Sequence, residues 1–499
     1  TADKDIVYDF AYATEKDIRD TALGKDENID IALAKNEWEG FQIIFATAAK
    51  DKKVSVSVTD FKNADGDTLK TVAYKAHYSE VKGMGDKYNC EYADALIPVT
   101  HTGERGGPAE LQKGLQQAFF IRTRAEKDAK AGEYTATVTA KNESGEVILE
   151  KEIKATVWNF TLPDAPANES AFGNGGGVFN TLSGVKEGDE AANEKLTLQV
   201  YDLLVENRLS PYHLPYDILD ERADKYMSDP RVTSFVIPYP DDDELLVKYY
   251  EKVTSNPEWA KKGYFYPIDE PGDSDAYARY KEITDRLARL CPGYNMVTPF
   301  NTDKVTIDGK EMSSVGLQLG KSSILCGLSE VVDRGTTLEE MMSAVKGGSR
   351  AWWYVCCAPG GDYCNFFIHL DAIRHRVLMW QQKSLNITGL LYWSTIYCDK
   401  ANPWESSKTW DSFESAGDGL LIYPGGYIGL DEPVPTIRLF NIADGMEDYD
   451  YFALAEAKFG RAWVDERIAK VTQSPTEFTS DHAAFEQVRR EIGEALNAK

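Results

Sequence analysis

Between about residue 170 and residue 395 the chain alternates between two hydrophobic rhythms, and this alternation limits its fold more than any other feature. Short runs rich in β-branched and aromatic residues read as strands: Ala171 to Phe179, Ser210 to Pro215, Val232 to Tyr239, Gly263 to Asp269, Asn295 to Phe300, Ser322 to Gly327, Arg350 to Cys356 and Thr388 to Ser394. Several segments between them have helical spacing. After Asp273, apolar residues fall at Ala276, Tyr280, Ile283, Leu287 and Leu290, with Asp273 or Ser274 to cap the start and Cys291-Pro292-Gly293 to stop it. Phe367, Leu370, Ile373, Val377 and Trp380 mark a second such face. Eight strands alternating with helices over about 230 residues is the arithmetic of a (β/α)8 barrel. The rival is an open doubly wound sheet. Gly173-Asn174-Gly175-Gly176-Gly177 lacks the strand–GxGxxG–helix context of a phosphate cradle, so the barrel is preferred.

The residues before this region read as all-β. Glu39 to Ala46, Val54 to Val58, Ala118 to Thr123 and Tyr134 to Ala140 are strand-like, and Asp65-Gly66-Asp67 and Asn142 to Gly145 are hairpin turns. A last strand, Lys151 to Phe160, runs into Pro163-Asp164-Ala165-Pro166-Ala167-Asn168, which has no periodicity and marks a boundary. After a Gly- and Pro-rich stretch, Gly417 to Pro435, the end of the chain is helical, over Glu447 to Phe459 and Glu477 to Leu496. The expected organisation is multidomain β plus α/β: an N-terminal β-sandwich over 1–165, a catalytic barrel over 168–444 and a C-terminal helical cap over 445–499.

Composition excludes several functions. The 499 residues include 55 Lys and Arg against 81 Asp and Glu, a net charge of −26, which repels nucleic acid and anionic membranes. No apolar run is long enough to span a bilayer. The start, Thr1-Ala2-Asp3-Lys4-Asp5, has neither an initiator Met nor a leader, as expected if a signal peptide has been removed; a secreted, periplasmic or cell-surface protein is anticipated. Seven cysteines are too few for a disulfide scaffold, and Cys356, Cys357, Cys364 and Cys398 read as small hydrophobes.

In a barrel the chemistry lies at the C-terminal ends of the strands. The fourth candidate strand ends Tyr264-Phe265-Tyr266-Pro267-Ile268-Asp269-Glu270-Pro271. Two adjacent acids raise each other's pKa, a cost that serves a general acid. A plain helix N-terminus, where acids complement the dipole, explains them equally well. Other strand ends offer Tyr212 and His213, Asn301, Trp352, Trp353 and Tyr354, then Tyr392, Trp393 and Ser394. Aromatic faces stack on sugar rings, and Asn, His and Tyr bond hydroxyls, although any single aromatic also suits a core. The acidic run Asp241-Asp242-Asp243-Glu244 fits a helix start better than a metal site, Cys356, Cys357, Cys364 and His369 match no zinc spacing, and no G-x-S-x-G elbow is present. Neither a metal nor an organic cofactor is expected.

Several strings resemble a known family. Ala351-Trp352-Trp353-Tyr354, Arg376-Val377-Leu378-Met379-Trp380, Gly389-Leu390-Leu391-Tyr392-Trp393, Gly417-Asp418-Gly419-Leu420-Leu421-Ile422-Tyr423-Pro424-Gly425 and Asp444-Gly445-Met446-Glu447-Asp448-Tyr449 resemble the domain of unknown function 4091, found in proteins similar to glycoside hydrolase family 123. Glu37 to Gln42, Tyr92 to Pro98 and Trp158 to Pro163 resemble the β-sandwich of those enzymes. The resemblance implies a sandwich followed by a barrel, β-N-acetylgalactosaminidase activity, and a catalytic pair at Asp269 and Glu270. Glu270 is then the general acid/base, and Asp269 orients the substrate's own 2-acetamido group as it attacks the anomeric carbon. Neighbours on one strand end cannot easily bracket a sugar from both faces, which agrees with substrate assistance rather than with a two-carboxylate scheme.

The expectation is therefore a glycoside hydrolase removing terminal β-linked N-acetylhexosamine, with GalNAc the expected sugar of a glycan or glycolipid. Asp269 and Glu270 are the catalytic residues; Tyr212, His213, Asn301, Trp353, Tyr392 and Trp393 bind substrate. The alternatives are a glycosidase or transglycosidase for a sugar without the acetamide, and a non-catalytic glycan-binding protein.

Overall fold

The computed structural model describes residues 5–15, 29–49, 52–82, 89–410 and 415–498. The start read above, Thr1 to Lys4, lies outside them. The N-terminal part is one curled sheet of eleven strands. Ile6–Tyr12, Glu37–Thr47, Gln116–Ala125, Thr68–Val81 and Cys90–Pro98 pair antiparallel in succession. Gly132–Asn142, Val147–Thr161 and Lys52–Val58 form the facing side, with Asp30–Lys35 added in parallel. A sandwich of two sheets was expected. The sides are joined because Thr68–Val81 is long: its first residues pair with Phe61–Lys62, its middle with Gln116–Ala125 and its end with Cys90–Pro98. Phe41, Ile43, Phe45 and Phe119 meet Tyr134, Val138, Ile153 and Val157 in a shared core. Each fully buried side chain of this size contributes about 1.5–3 kcal/mol. Both anticipated hairpin turns form, with Gly66 and Gly145 at positive φ.

Beyond the linker the α/β part begins. Glu169–Phe172, Gly389–Tyr392, Arg350–Val355, Ile324–Leu328 and Val297–Phe300 form a parallel sheet in that order, and Phe235–Ile237 pairs in parallel with Gly263–Phe265. Backbone bonds link the two groups. Phe172 N–H donates to Ser210, Tyr212 N–H to Phe172 and Val236 N–H to Tyr212, each at 2.8 Å. Phe265 N–H donates to Asn295 at 2.9 Å. The strands are shorter than the sequence runs: the first ends at Phe172 and the fourth at Phe265, because the chain beyond each turns away to carry side chains at the rim. Gly389 has a packing role, since a Cβ there would stand 2.1 Å from the Trp352 indole lying across it.

The first of the C-terminal helices is not an outer cap. Ile437–Phe459 is a single helix through the expected 444/445 boundary, and every residue from Ile437 to Phe452 is buried. It has no polar face for periodicity to reveal, because its charges are met by partners on all sides. The second expected helix begins at His482, after a short hairpin over Thr472–Ser474 and Glu477–Phe478.

Six buried carboxyls, Glu37, Glu39, Asp444, Glu447, Asp448 and Asp450, face four buried guanidiniums, Arg122, Arg208, Arg376 and Arg489. Arg376 grips Asp448 through two bonds of 2.7 and 3.0 Å, and Arg208 meets Asp450 at 2.9 Å. Burial pushes Asp450 up to about 7 and raises Glu37, Asp444 and Glu447. These four groups keep protons that an unfolded chain releases near pH 4, so the stability they add is fully present below their unfolded values and is lost as pH rises through the folded ones. The melting temperature is expected to fall by about 5 °C or more between pH 5 and pH 8, with a smaller fall in Asp450→Asn. Scanning calorimetry at both pH values checks this; a rise towards pH 8 contradicts it.

Candidate active site

The acid pair follows the Gly263–Phe265 strand on an extended segment, Tyr266 to Pro271. It does not cap the next helix: Asp273 does, its carboxylate accepting from Ala276 N–H at 2.8 Å. The helix-start explanation for Asp269 and Glu270 therefore fails. Glu270 has φ 42°, a left-handed backbone that costs a side-chain-bearing residue and recurs at functional sites.

Two tyrosines and an asparagine hold the pair. Asp269 accepts from the Tyr266 hydroxyl at 2.8 Å. Glu270 accepts from the Asn301 amide at 2.7 Å through Oε2, and from the Tyr354 hydroxyl through Oε1. Tyr266 packs edge-on against Tyr212, ring centres 6.0 Å apart. Loss of surrounding water raises the pKa of both carboxyls; for Glu270 the charge of Asp269 adds to this, while the bonds from Tyr354 and Asn301 oppose it. A tyrosine hydroxyl also accepts, so Tyr354 can stay bonded when Glu270 carries the proton. Removing it in Tyr354→Phe deletes a bond that favours the carboxylate. The basic limb of the pH–kcat/KM profile is expected to move to higher pH; an unmoved limb would show that Tyr354 does not set this ionisation.

A second cluster stands at the eighth strand end. Asp418 is fully buried and accepts from Tyr392 at 3.2 Å and Trp393 at 3.0 Å through one oxygen, and from Trp410 at 2.8 Å through the other. Trp393 and Trp410 lie 5.5 Å apart, and Tyr397 stacks on Trp410 at 5.4 Å. Gly419, φ 72°, leaves room for Trp393, whose ring a Cβ would meet at 2.3 Å. Arg438 fixes this turn by donating to the Gly417 carbonyl at 2.8 Å, and is itself held in two bonds by Asp94 of the curled sheet.

Of the sequence-predicted site residues, Asp269, Glu270 and Asn301 are brought together directly. Tyr212 lies buried beneath Tyr266, and exposed His213 is tied through its backbone to Asn174. Trp393 is half-buried at the rim; Tyr392 is fully buried and acts through Asp418. Trp353 is a correction. It is fully buried, and alternation along the strand turns it away from the face that carries Trp352 and Tyr354. The residue at the acids is Tyr354. Tyr266, Tyr397, Trp410 and Asp418 were missed. Asp418 had a signal, standing between two glycines in Gly417-Asp418-Gly419; the others had none beyond being aromatic.

A cavity of about 680 Å³ lies at the seam of sheet and α/β part, lined by Trp38, Tyr74, His101, Arg122, Leu430 and Phe440. Asp241 to Glu244 start a helix, with Asp242 as its cap and Asp243 paired to Arg286 at 2.8 Å.

Residues 211–455 match the model of the glycoside hydrolase 123 catalytic domain. The chain carries a glycoside hydrolase family 123 catalytic domain. That span includes the acid pair, the aromatic cluster and most of the buried helix. The fold agrees: a family 123 glycoside hydrolase from Clostridium perfringens, studied for glycolipid glycan hydrolysis, superposes with a TM-score of 0.69 at 12% identity, covering 99% of this chain and 98% of that one. The β-glucuronidase of Bifidobacterium dentium, at 10% identity with 96% of this chain and 68% of that one covered, reaches a TM-score of 0.29, too low to bear on the fold. No curated protein matches by sequence. The chain is thus a glycoside hydrolase, and its substrates are carbohydrates. Among the described residues no helix is long and apolar enough to cross a membrane.

Proposed function

We propose that this glycoside hydrolase removes terminal β-linked N-acetylhexosamine, GalNAc in the first instance, by substrate-assisted retaining hydrolysis. The observation that carries the reading is the placement of Asp269 and Glu270 side by side, each with its own hydrogen-bond partners. Adjacent acids on one segment approach a sugar from the same side, whereas a direct nucleophile and its acid/base bracket the bond with carboxyls about 5–5.5 Å apart. Glu270 protonates the leaving oxygen. Asp269, raised by desolvation and steadied by Tyr266, orients the acetamide and takes up charge from its N–H as the carbonyl oxygen closes on the anomeric carbon. Glu270 then deprotonates the water that opens the ring. Trp393, Tyr397 and Trp410 supply a stacking wall.

The same reading takes the eight parallel segments as a closed (β/α)8 barrel. Two contacts support closure: Tyr354 of the seventh segment reaches Glu270 beyond the fourth, and Trp352 of the seventh lies 5.8 Å from Tyr264 of the fourth. The glycolipid glycans of the Clostridium perfringens relative make a glycolipid headgroup the natural substrate to try first. Matched nitrophenyl β-glycosides of GalNAc, GlcNAc, galactose and glucose test the proposal. Turnover confined to the two acetamido sugars, with inhibition by a GalNAc-thiazoline, is expected; equal turnover of galactose overturns it.

A further inference from the structure

Cys356 and Cys357 follow the seventh segment directly, and the reaction makes no use of them. Their sulfurs lie 3.9 Å apart. Both side chains are half-buried, as is Cys90, whereas Cys291, Cys326, Cys364 and Cys398 are buried. Cys356 is two residues beyond Tyr354, whose hydroxyl meets Glu270, and just past the end of the strand. The backbone is pinned: Cys356 N–H donates to the Ala358 carbonyl at 2.8 Å, and the Asn365 amide donates to the carbonyls of Cys356 at 3.0 Å and Pro359 at 2.9 Å. Two thiols are therefore held as neighbours at the junction of the acid pair and the aromatic cluster.

We propose that Cys356 and Cys357 are a modification site, a vicinal dithiol on the active-site wall that a low-molecular-weight disulfide closes into an intramolecular bridge. The Cys357 thiolate attacks one sulfur of the reagent and releases the first small thiol. The Cys356 thiolate then attacks the Cys357 sulfur and releases the second. Two electrons pass from the cysteine pair to the reagent, and the two thiol protons end on the two released thiols. Closure draws the sulfurs from 3.9 Å to a bond of about 2 Å. It also removes two S–H groups from a place that feels the charges of both Glu270 and Asp418. The hydrogen bond between the two thiols lowers the Cys357 pKa and, with burial, raises that of Cys356, while burial pushes Cys364 and Cys398 up to about 12; Cys357 is thus the first nucleophile, and its conversion to a mixed disulfide ends the bond that holds the proton on Cys356.

The test uses the full chain, equilibrated with mixtures of glutathione and glutathione disulfide, acid-quenched and alkylated under denaturing conditions. Trypsin releases Ala351 to Arg374, which holds Cys356, Cys357 and Cys364. Cys356 and Cys357 are expected to lose alkylation together, with fragment masses placing the bridge between them and Cys364 still alkylated. C364S should bridge equally, and C357S should not. Glutathione adducts without a bridge, a bridge to Cys364, or two free thiols at every ratio would each overturn the proposal. This mass readout is independent of the sugar assignment. The effect on hydrolysis rests on the reading above: activity is expected to fall on oxidation and return with dithiothreitol, and a fully bridged protein with unchanged kcat/KM would remove the pair from the active-site wall.

Discussion

Glu270→Gln lowers kcat/KM by about 10²- to 10⁴-fold on glycosides with a poor leaving group, the range that loss of a positioned general acid produces. The substitution isolates the proton. Glutamine keeps the shape of the side chain, and its carbonyl oxygen can still accept from Asn301 or Tyr354, so the positive-φ turn at residue 270 loses little support. What it cannot do is protonate the departing oxygen. The deficit should shrink sharply on a dinitrophenyl glycoside, whose leaving group departs as a stable anion. Steady-state kinetics on the two substrates read this directly. A variant as active as the parent on the poor leaving group would take Glu270 out of the acid role.

Arg376→Ala is expected to destabilise the protein by about 3–5 kcal/mol, the cost of leaving a buried charge without its partner. Arg376 has no exposed surface and ties three helices to the curled sheet. It bonds Asp448 twice and stands 3.6 Å from Glu39, 3.8 Å from Asp444 and 3.6 Å from Glu486. Trp380 also donates to Asp448 at 2.9 Å, so the tryptophan reports on the same place. Urea unfolding followed by tryptophan fluorescence measures the change. A midpoint within experimental error of the parent would show that the remaining arginines suffice.

The α/β alternation was legible because its strands are buried on both sides and its exposed helices are amphipathic. All eight strand runs contain a parallel segment, although Ser210 to Pro215 contributes only a bridge, at Pro211. Strand ends were less legible: the runs continue into rim residues such as Tyr266 and Ile268, or into the next helix at Val178, and these look the same in sequence whether or not they pair. The buried helix Ile437–Phe459 was half seen, since a helix met by partners on every side has no stripe. Within the site, the acid pair was visible as two costly neighbours. Trp353 and Tyr354 are both aromatic and adjacent, so composition does not separate them; strand alternation does, and it turns Tyr354 to the acids. Asp418 escaped because its partners are distant or aromatic, and an aspartate between glycines also reads as an ordinary turn. Many residues that carry the family resemblance serve the fold: Arg376, Asp444, Glu447 and Asp448 form the ion network, and Asp94 holds Arg438, which supports the turn at Gly417.

The central claim is that the sugar's own acetamide is the nucleophile, with Asp269 and Glu270 serving it from one side. Nitrophenyl GalNAc substrates whose N-acetyl group bears zero to three fluorines test it most directly, since each fluorine withdraws electrons from the attacking carbonyl oxygen. The account predicts a steep fall in kcat/KM along the series. A flat series, with the same rate for the acetyl and trifluoroacetyl sugars, would contradict it.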